Sequence, residues 1–433
     1  MIGRLDRLRR LLPALIAIAA ALPQLLTHLG DVRAGAAPGS EFLPRVKGIL
    51  DVSRVAAAGG PSLAVPTRDG RFEPVDWKVN DLGSAALAFA ITRVTGRPVG
   101  RRALLAINLA LFVAGVGLLI AVTPGWHRAA LAVPFLLTPL VLDAYRSPDP
   151  LASHGSLALL GVAVAAAGGR PRRIWEALLL GALLFAAHKV RSSHGLYAAA
   201  ALVLAAGLGL LRTRDRRILR TLAFVALGYA ACELPWRVWA AQRARDTRVA
   251  AQDLEGAHNI WVVLLEGIGW SREFGGYGPP NRWGLRPYDP WMGQYLADHY
   301  GVPPAHLASA QMERLSRQRY GELWREDPVH LLAIYAGRLP DAVAAHTAGG
   351  AAGLAALALL APPALWTAWR RRDLALLTVL AAAAAMVACL AFQTVVLDAR
   401  LLYAYPLRPV SLVLLSLSAS ALWAAARDRP GPR

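Results

Sequence analysis

The strongest constraint on this chain is a succession of apolar runs long enough, or nearly so, to cross a lipid bilayer. They fall at 11–29, 103–122, 129–145, 152–168, 174–188, 195–211, 219–236, 350–368, 374–397 and 407–426. A helix needs about 20 apolar residues to span the hydrocarbon core, fewer where flanking side chains snorkel. Inside lipid every backbone group must find its partner within the segment, so such runs become helices. With 56% hydrophobic and 17% charged residues, the chain falls in the class of integral membrane proteins. Its net charge of +19 does not point to nucleic acid, because the Arg residues punctuate apolar runs and form no stripe with aromatics. Cys232 and Cys389 both lie in apolar segments, which gives neither a disulfide framework nor a metal spacing. The start, MIGRLDRLRR followed by an apolar run to Leu29, reads as an uncleaved first span.

A further apolar run from Gly83 to Gly96 decides the topology. It has 14 residues and includes Arg93. If it stays out of the membrane there are ten spans, and the clusters RLDRLRR, GGRPRR, LRTRDRR, WRRRD and ARDRPGPR all fall on one side. If it spans, most of them move to the opposite side, against the preference of Lys and Arg for the cytoplasmic face. The expectation is therefore an all-α membrane protein of about ten transmembrane helices, with 83–96 as an amphipathic helix on the outer face. Two hydrophilic regions then lie outside, 30–101 and 237–349. The chain divides into an N-terminal membrane module (1–236), an outer-face Trp-rich region (237–349) and a C-terminal membrane module (350–433). No internal repeat supports an inverted-repeat transporter.

The densest polar and aromatic run, HNIWVVLLEGIGWSREFGGYGPPNRWGLRPYD, opens the second outer region. Its first part predicts a short amphipathic helix, and Pro279-Pro280 with the glycines then break regular structure. Trp and Tyr favour the membrane–water boundary, where one end of the ring is apolar and the other wet. The run reads either as an interfacial anchor or as the rim of a site, with His258, Trp261, Asn281 and Asp289 as substrate-binding candidates.

Ionisable groups are scarce at mid-membrane depth, which argues against an ion-coupled transporter. Carboxylates gather instead just beyond span ends on the outer face. Asp31 follows span 1, Glu41 and Asp51 follow in a stretch that reads as a short helix, and Asp149 stands in RSPDP after span 3. A lone loop carboxylate is commonly plain surface. What raises Asp31, Glu41 and Asp149 to catalytic candidates is their convergence from separate loops on one face. Lys189 and Arg191 (in HKVRSSH) and Arg400 bring cations to the same face. Such cations either snorkel to lipid phosphates or hold an anionic lipid substrate while a carboxylate acts as general base.

In plan, the chain resembles the GT-C superfamily of membrane glycosyltransferases, which take a sugar from a polyprenyl-phosphate carrier. The similarity covers a basic N-terminus, a first outer loop opening on Asp31, a second acid after span 3 at Asp149, a large late outer loop, and an Arg-aromatic-Pro segment of Arg400, Tyr403, Tyr405 and Pro406. Many members carry two acidic residues close together in the first loop, whereas here Gly30 and Val32 flank Asp31 and the next acid is Glu41. The resemblance implies inverting transfer on the periplasmic face of a bacterial-type inner membrane. The donor would be a polyprenyl-phosphate-linked sugar and the acceptor a lipid, glycan or protein. It implies no nucleic-acid partner and no cofactor, with room for a divalent cation. The competing reading is a non-enzymatic flippase, transport protein or scaffold of cell-envelope glycan assembly. An O-antigen-ligase type of enzyme shares the large outer loop.

Overall fold

The computed structural model describes residues 44–66, 72–75, 82–137, 154–247, 260–269, 281–285, 289–304, 310–397 and 406–428. They form an all-α protein with one small β-hairpin. In chain order, α1 is Pro44–Ala57, the hairpin pairs Ala64–Pro66 with Phe72–Pro74, and α2 is Leu82–Thr95. The next helices are α3 (Arg101–Val122), α4 (His127–Leu137), α5 (His154–Gly168), α6 (Ile174–Val190), α7 (Ser192–Thr213) and α8 (Arg217–Thr247). After them come α9 (Ile260–Gly269), α10 (Asp289–Tyr300), α11 (Ala310–Glu326) and α12 (Pro328–Arg338), which continues as a π-helical stretch, Leu339–Ala344. The last helices are α13 (Gly350–Arg370), α14 (Leu374–Phe392) with a π-helical end Gln393–Leu397, and α15 (Leu407–Arg427).

Among the described residues, six helical segments are long and apolar enough to cross a membrane: Arg101–Val122, Ser192–Thr213, Arg217–Gln242, Gly350–Arg370, Leu374–Leu397 and Leu407–Arg427. The chain is accordingly a helical integral membrane protein. Helix α5 is apolar but shorter. The expected first span, 11–29, lies outside the described residues, as do the carboxylates Asp31, Glu41 and Asp149.

The main core is built from α3, α5, α7, α13, α14 and α15, with α6 and α8 against its side. Helix α5 and the middle of α14 are buried along most of their length, through Val162, Ala163, Ala165, Leu380, Ala382 and Ala383. Small Ala side chains let helices approach closely, which in lipid is a main source of packing energy.

Hydrogen bonds gather the Arg-rich turns at one end of this bundle. Arg170 donates through Nη2 to the carbonyls of Val122 and Ala375, at 2.9 and 2.8 Å, and through Nε to Thr378 Oγ1 at 2.8 Å. Burial of its guanidinium, ahead of repulsion from Arg172, lowers its pKa to about 10, so it stays charged at neutral pH. Arg212 Nε caps the Trp369 carbonyl at 2.7 Å, and Arg371 pairs with Asp428 at 2.8 Å. His127 meets Ser420 at 2.7 Å. Exposed Trp126, Trp175, Trp366 and Trp423 ring the same end, as an interfacial aromatic belt does. Arg170, Arg212 and Arg371 are thus fixed to neighbouring helices.

Two smaller cores stand at the opposite end. The first joins α1, the hairpin and α2 with Val99, Leu104 and the C-terminal part of α8 through Trp236 and Trp239. Within it, Ser53 meets Thr92 at 2.8 Å and accepts from the Val99 amide at 2.5 Å. Residues 83–95 are therefore helical, as expected, but the helix buries Ala85, Ala88 and Thr92 against α1 and is part of a folded module. Arg93 reaches out of it to the Gly60 carbonyl at 3.0 Å. The second core joins α9, α10, α11 and α12 with Trp283, Leu285 and the π-helical end of α14. Helix α9 departs from its amphipathic expectation. Val262, Leu264, Leu265, Glu266 and Ile268 are all buried, because α11 covers one side and residues 393–397 the other.

Candidate functional site at the hinge of two helices and the rim of the second module

Lys189 and Arg191 stand where α6 turns into α7, at the end of the bundle opposite the Arg-rich turns. Arg191 is both the last cap of α6, its amide donating to the Ala187 carbonyl, and the residue that opens α7. A one-residue turn of this kind fixes the direction of both helices. It holds Lys189 and Arg191 close to the bundle, where a longer loop would let them swing.

Lys189 is largely enclosed. Its Nζ lies 3.2 Å from Glu233 Oε2 on α8, and it sits over the rings of Phe185 and Trp236 at 5.6 and 5.2 Å. Arg237 reaches the other oxygen of Glu233 at 3.0 Å and is itself largely exposed. Two cations therefore share one carboxylate. Cations over aromatic faces gain from the ring quadrupole, most where water is excluded. The N-terminus of α2 lies directly on this corner. A Cβ at Gly83 would collide with the backbone of Lys189 and Val190, so only glycine permits the approach. The module of α1, the hairpin and α2 thus closes over the corner that holds Lys189.

The second module carries the remaining described candidates. Trp261 is half-buried on α9, 5.9 Å from the Tyr320 ring, with the Arg317 guanidinium 5.5 Å from its own ring. Asn281 is engaged by backbone. Its Oδ1 accepts from the amides of Trp283 and Leu285, both at 3.0 Å, and its Nδ2 donates to the Ile268 carbonyl at 3.2 Å. That arrangement makes Asn281 the organiser of the turn 281–285 and its tie to α9. Asp289 is the first residue of α10. His258 and Arg400 lie outside the described residues.

Helix α9 ends against the chain that leads toward Arg400. A Cβ on Gly267 would strike the carbonyls of Val396 and Leu397. Arg338, at the end of α12, locks this junction. It is buried, donates from Nη1 to the Val395 carbonyl at 2.8 Å, and donates from Nη2 to the Gly267 carbonyl.

On the far side of the module a polar network surrounds Arg319. Its Nε donates to Tyr295 Oη at 2.8 Å, and its Nη1 reaches Glu322 at 3.3 Å and also Glu326. Burial works against the Arg319 charge, but hydrogen bonds to Glu326 and Tyr295 outweigh it and raise its pKa. Glu322 also accepts from Tyr300 at 2.9 Å and lies 3.4 Å from His299. Its partial burial favours the acid form, yet hydrogen bonds from Gln318, Tyr300, Arg319 and His299 hold its pKa below the usual range.

Of the residues singled out by sequence, the structure places Lys189 and Arg191 together at one corner, and Trp261 and Asn281 together on the second module. The sequence reading missed Glu233, Trp236 and Arg338. Glu233 is legible in retrospect as a carboxylate one turn from the end of a span, on the same face as Lys189. Arg338 is legible as a lone cation in the otherwise uncharged stretch HLLAIYAGRLP. Among the described residues, no three His, Cys, Asp or Glu side chains gather as a metal site.

The chain matches no known protein family model, no curated protein and no solved structure.

Proposed function

We propose that this chain is a membrane glycosyltransferase of GT-C type with ten spans. In this reading it moves a sugar from a polyprenyl-phosphate donor to an acceptor hydroxyl on the outer face. The observation that carries the reading is the position of the Lys189–Arg191 corner. It lies at the bundle end away from the Arg-rich turns, where both extramembrane modules are also built. A cationic corner at the end of a span suits the phosphate of a lipid whose tail lies in the bilayer. The Arg-rich end is taken as cytoplasmic by the positive-inside rule, which makes the corner periplasmic.

The reaction balances without a further reactant. A carboxylate, with Asp31 first among Asp31, Glu41 and Asp149, takes the proton of the acceptor hydroxyl. The oxygen forms a bond to the anomeric carbon from the face opposite the phosphate. The bond from that carbon to the phosphate oxygen breaks, and the polyprenyl phosphate leaves with the electron pair. Its negative charge is met by Lys189, Arg191 and Arg400. A phosphate is already a stable leaving group, so fixed positive charge serves where an acid catalyst would otherwise be needed. His258, Trp261, Asn281 and Asp289 belong in this reading to the acceptor side, Asn281 by shaping the turn.

The test is release of polyprenyl phosphate and transfer of labelled sugar by purified protein in proteoliposomes. Transfer above empty vesicles supports the reading. Sugar-lipid that only changes leaflet, with the carrier bond intact, supports a flippase instead.

A further inference from the structure

Helices α11 and α12 are neighbours in chain and space, yet they show the solvent opposite faces of chemistry. The exposed residues of α11 include Glu313, Arg314, Arg317, Gln318, Arg325 and Glu326. Those of α12 are Pro328, Val329, Leu332, Ala333, Ala336 and Gly337, followed by Leu339 and Pro340. Val329 is 75% exposed, Leu332 54% and Leu339 49%. Nothing charged interrupts the described part of this face. The other side of α12 is committed to the module core through Leu331, Tyr335 and Arg338. The helix is thus anchored on one side and presents a continuous apolar strip on the other. A strip of this kind marks a contact with something apolar.

We infer that the exposed face of α12 lies in the bilayer surface, so that the second module rests on lipid and does not stand clear in water. Three observations select lipid as the occupant. Arg338 binds the Val395 carbonyl, in the last turns of the spanning segment Leu374–Leu397, which fixes the end of α12 at the level where that span ends. The chain then runs through Leu339–Ala344 into the spanning helix α13 within twelve residues of Arg338. The exposed surface of α13 continues the same chemistry with Ala351, Ala352, Ala355 and Leu359. Beyond Asp341, apolar exposed surface thus recurs on a helix long and apolar enough to cross a membrane. An amphipathic helix so placed buries its apolar side at the boundary of headgroups and acyl chains. The neighbouring charged face of α11 stays in water.

The inference does not depend on the proposed activity, and its test reads neither donor nor transfer. Cysteines are introduced singly at Val329, Leu332, Ala333 and Ala336, and as water controls at Arg317 and Arg325, after Cys232→Ser and Cys389→Ser. Each is nitroxide-labelled in vesicles of phosphatidylethanolamine and phosphatidylglycerol. Collision with oxygen, which partitions into lipid, is compared with collision with a water-soluble nickel chelate. The lipid-facing account expects the oxygen-to-nickel ratio at the α12 sites to exceed that at Arg317 and Arg325 several-fold. Nickel access at α12 equal to the controls would place the strip in water and overturn it. Poor access to both reagents would overturn it too, because the strip would then be covered by protein, either a second copy or a partner. Ala333→Cys and Ala336→Cys change little volume, so they keep the test decisive if the larger replacements disturb folding.

Discussion

Arg338 donates to the Gly267 carbonyl and to the Val395 carbonyl, so a single buried guanidinium joins the end of α12, the end of α9 and the end of a spanning helix. The second module is tied to the bundle at this point. Both acceptors are backbone groups, and the hydrogen bonds reach 71 and 57 residues along the chain.

Removing this guanidinium leaves two carbonyls without their charged donor. Arg338→Ala should destabilise the module by about 3 kcal/mol, given the cost of losing charge-assisted hydrogen bonds at a buried site. Arg338→Lys should recover only part, since one ammonium does not reproduce the fork. Thermal unfolding in detergent, followed by tryptophan fluorescence, measures both.

Gly267→Ala probes the same junction from the other side. The added methyl meets the Val396 and Leu397 carbonyls, and relieving the overlap should cost about 1–3 kcal/mol. Gly337→Ala is the matched control, because nothing lies within 4 Å of a Cβ there. A Gly337→Ala loss as large as that of Gly267→Ala would contradict the close contact.

The polar network predicts a pH dependence of the second module. Hydrogen bonds to Glu322 outweigh the effect of its partial burial, and its folded pKa lies below the usual value. Asp327 is held down by the His330 amide and by Arg282. For carboxylates shifted in this direction, the stabilisation is fully present above the unfolded pKa values, about 4 for both types. It is lost as pH falls through the lower folded values. Unfolding temperature should therefore drop below about pH 4, and Glu322→Gln should flatten that drop. An unchanged acid limb in Glu322→Gln would remove Glu322 from the account.

Much of the fold was legible because lipid leaves a chain little choice. The apolar runs at 195–211, 350–368 and 374–397 map onto α7, α13 and α14, since a long uncharged run must be helical in a bilayer. The 14-residue run at 83–96 was legible as a helix from its length and Arg93. Its packing on α1 and on Lys189 was not, because Ala and Gly positions carry no sign of which partner they meet. Of the candidate site, Lys189 and Arg191 were legible as cations just beyond the end of an apolar run. The partner of Lys189 was not, since Glu233 lies 44 residues away on another helix. Helix α9 was misread as amphipathic because neighbours cover it on two sides, and a sequence window shows only the helix itself.

Topology is open to a direct check. A reporter fused after Arg217 should be cytoplasmic and one fused after Tyr300 exported. Reporters on the same side would break the ten-span arrangement and with it the outer-face placement of Lys189.

The central claim is transfer of a sugar from a polyprenyl phosphate with an outer-face carboxylate as base. Its most direct measurement is the initial rate of labelled-sugar transfer in membranes with matched protein levels. The set is wild type, Asp31→Asn, Glu41→Gln, Asp149→Asn, Lys189→Met and Arg400→Ala. Loss of a general base typically lowers the rate about 10²–10⁴-fold, so Asp31→Asn should fall in that range while its thermal unfolding stays near wild type. Lys189→Met and Arg400→Ala should raise the donor concentration needed for half-maximal rate as well as lower the maximum. Full transfer by Asp31→Asn with loss in Glu41→Gln or Asp149→Asn would move the base to another carboxylate. Unchanged transfer in all three carboxylate variants, or none in the wild type, would contradict the glycosyltransferase account.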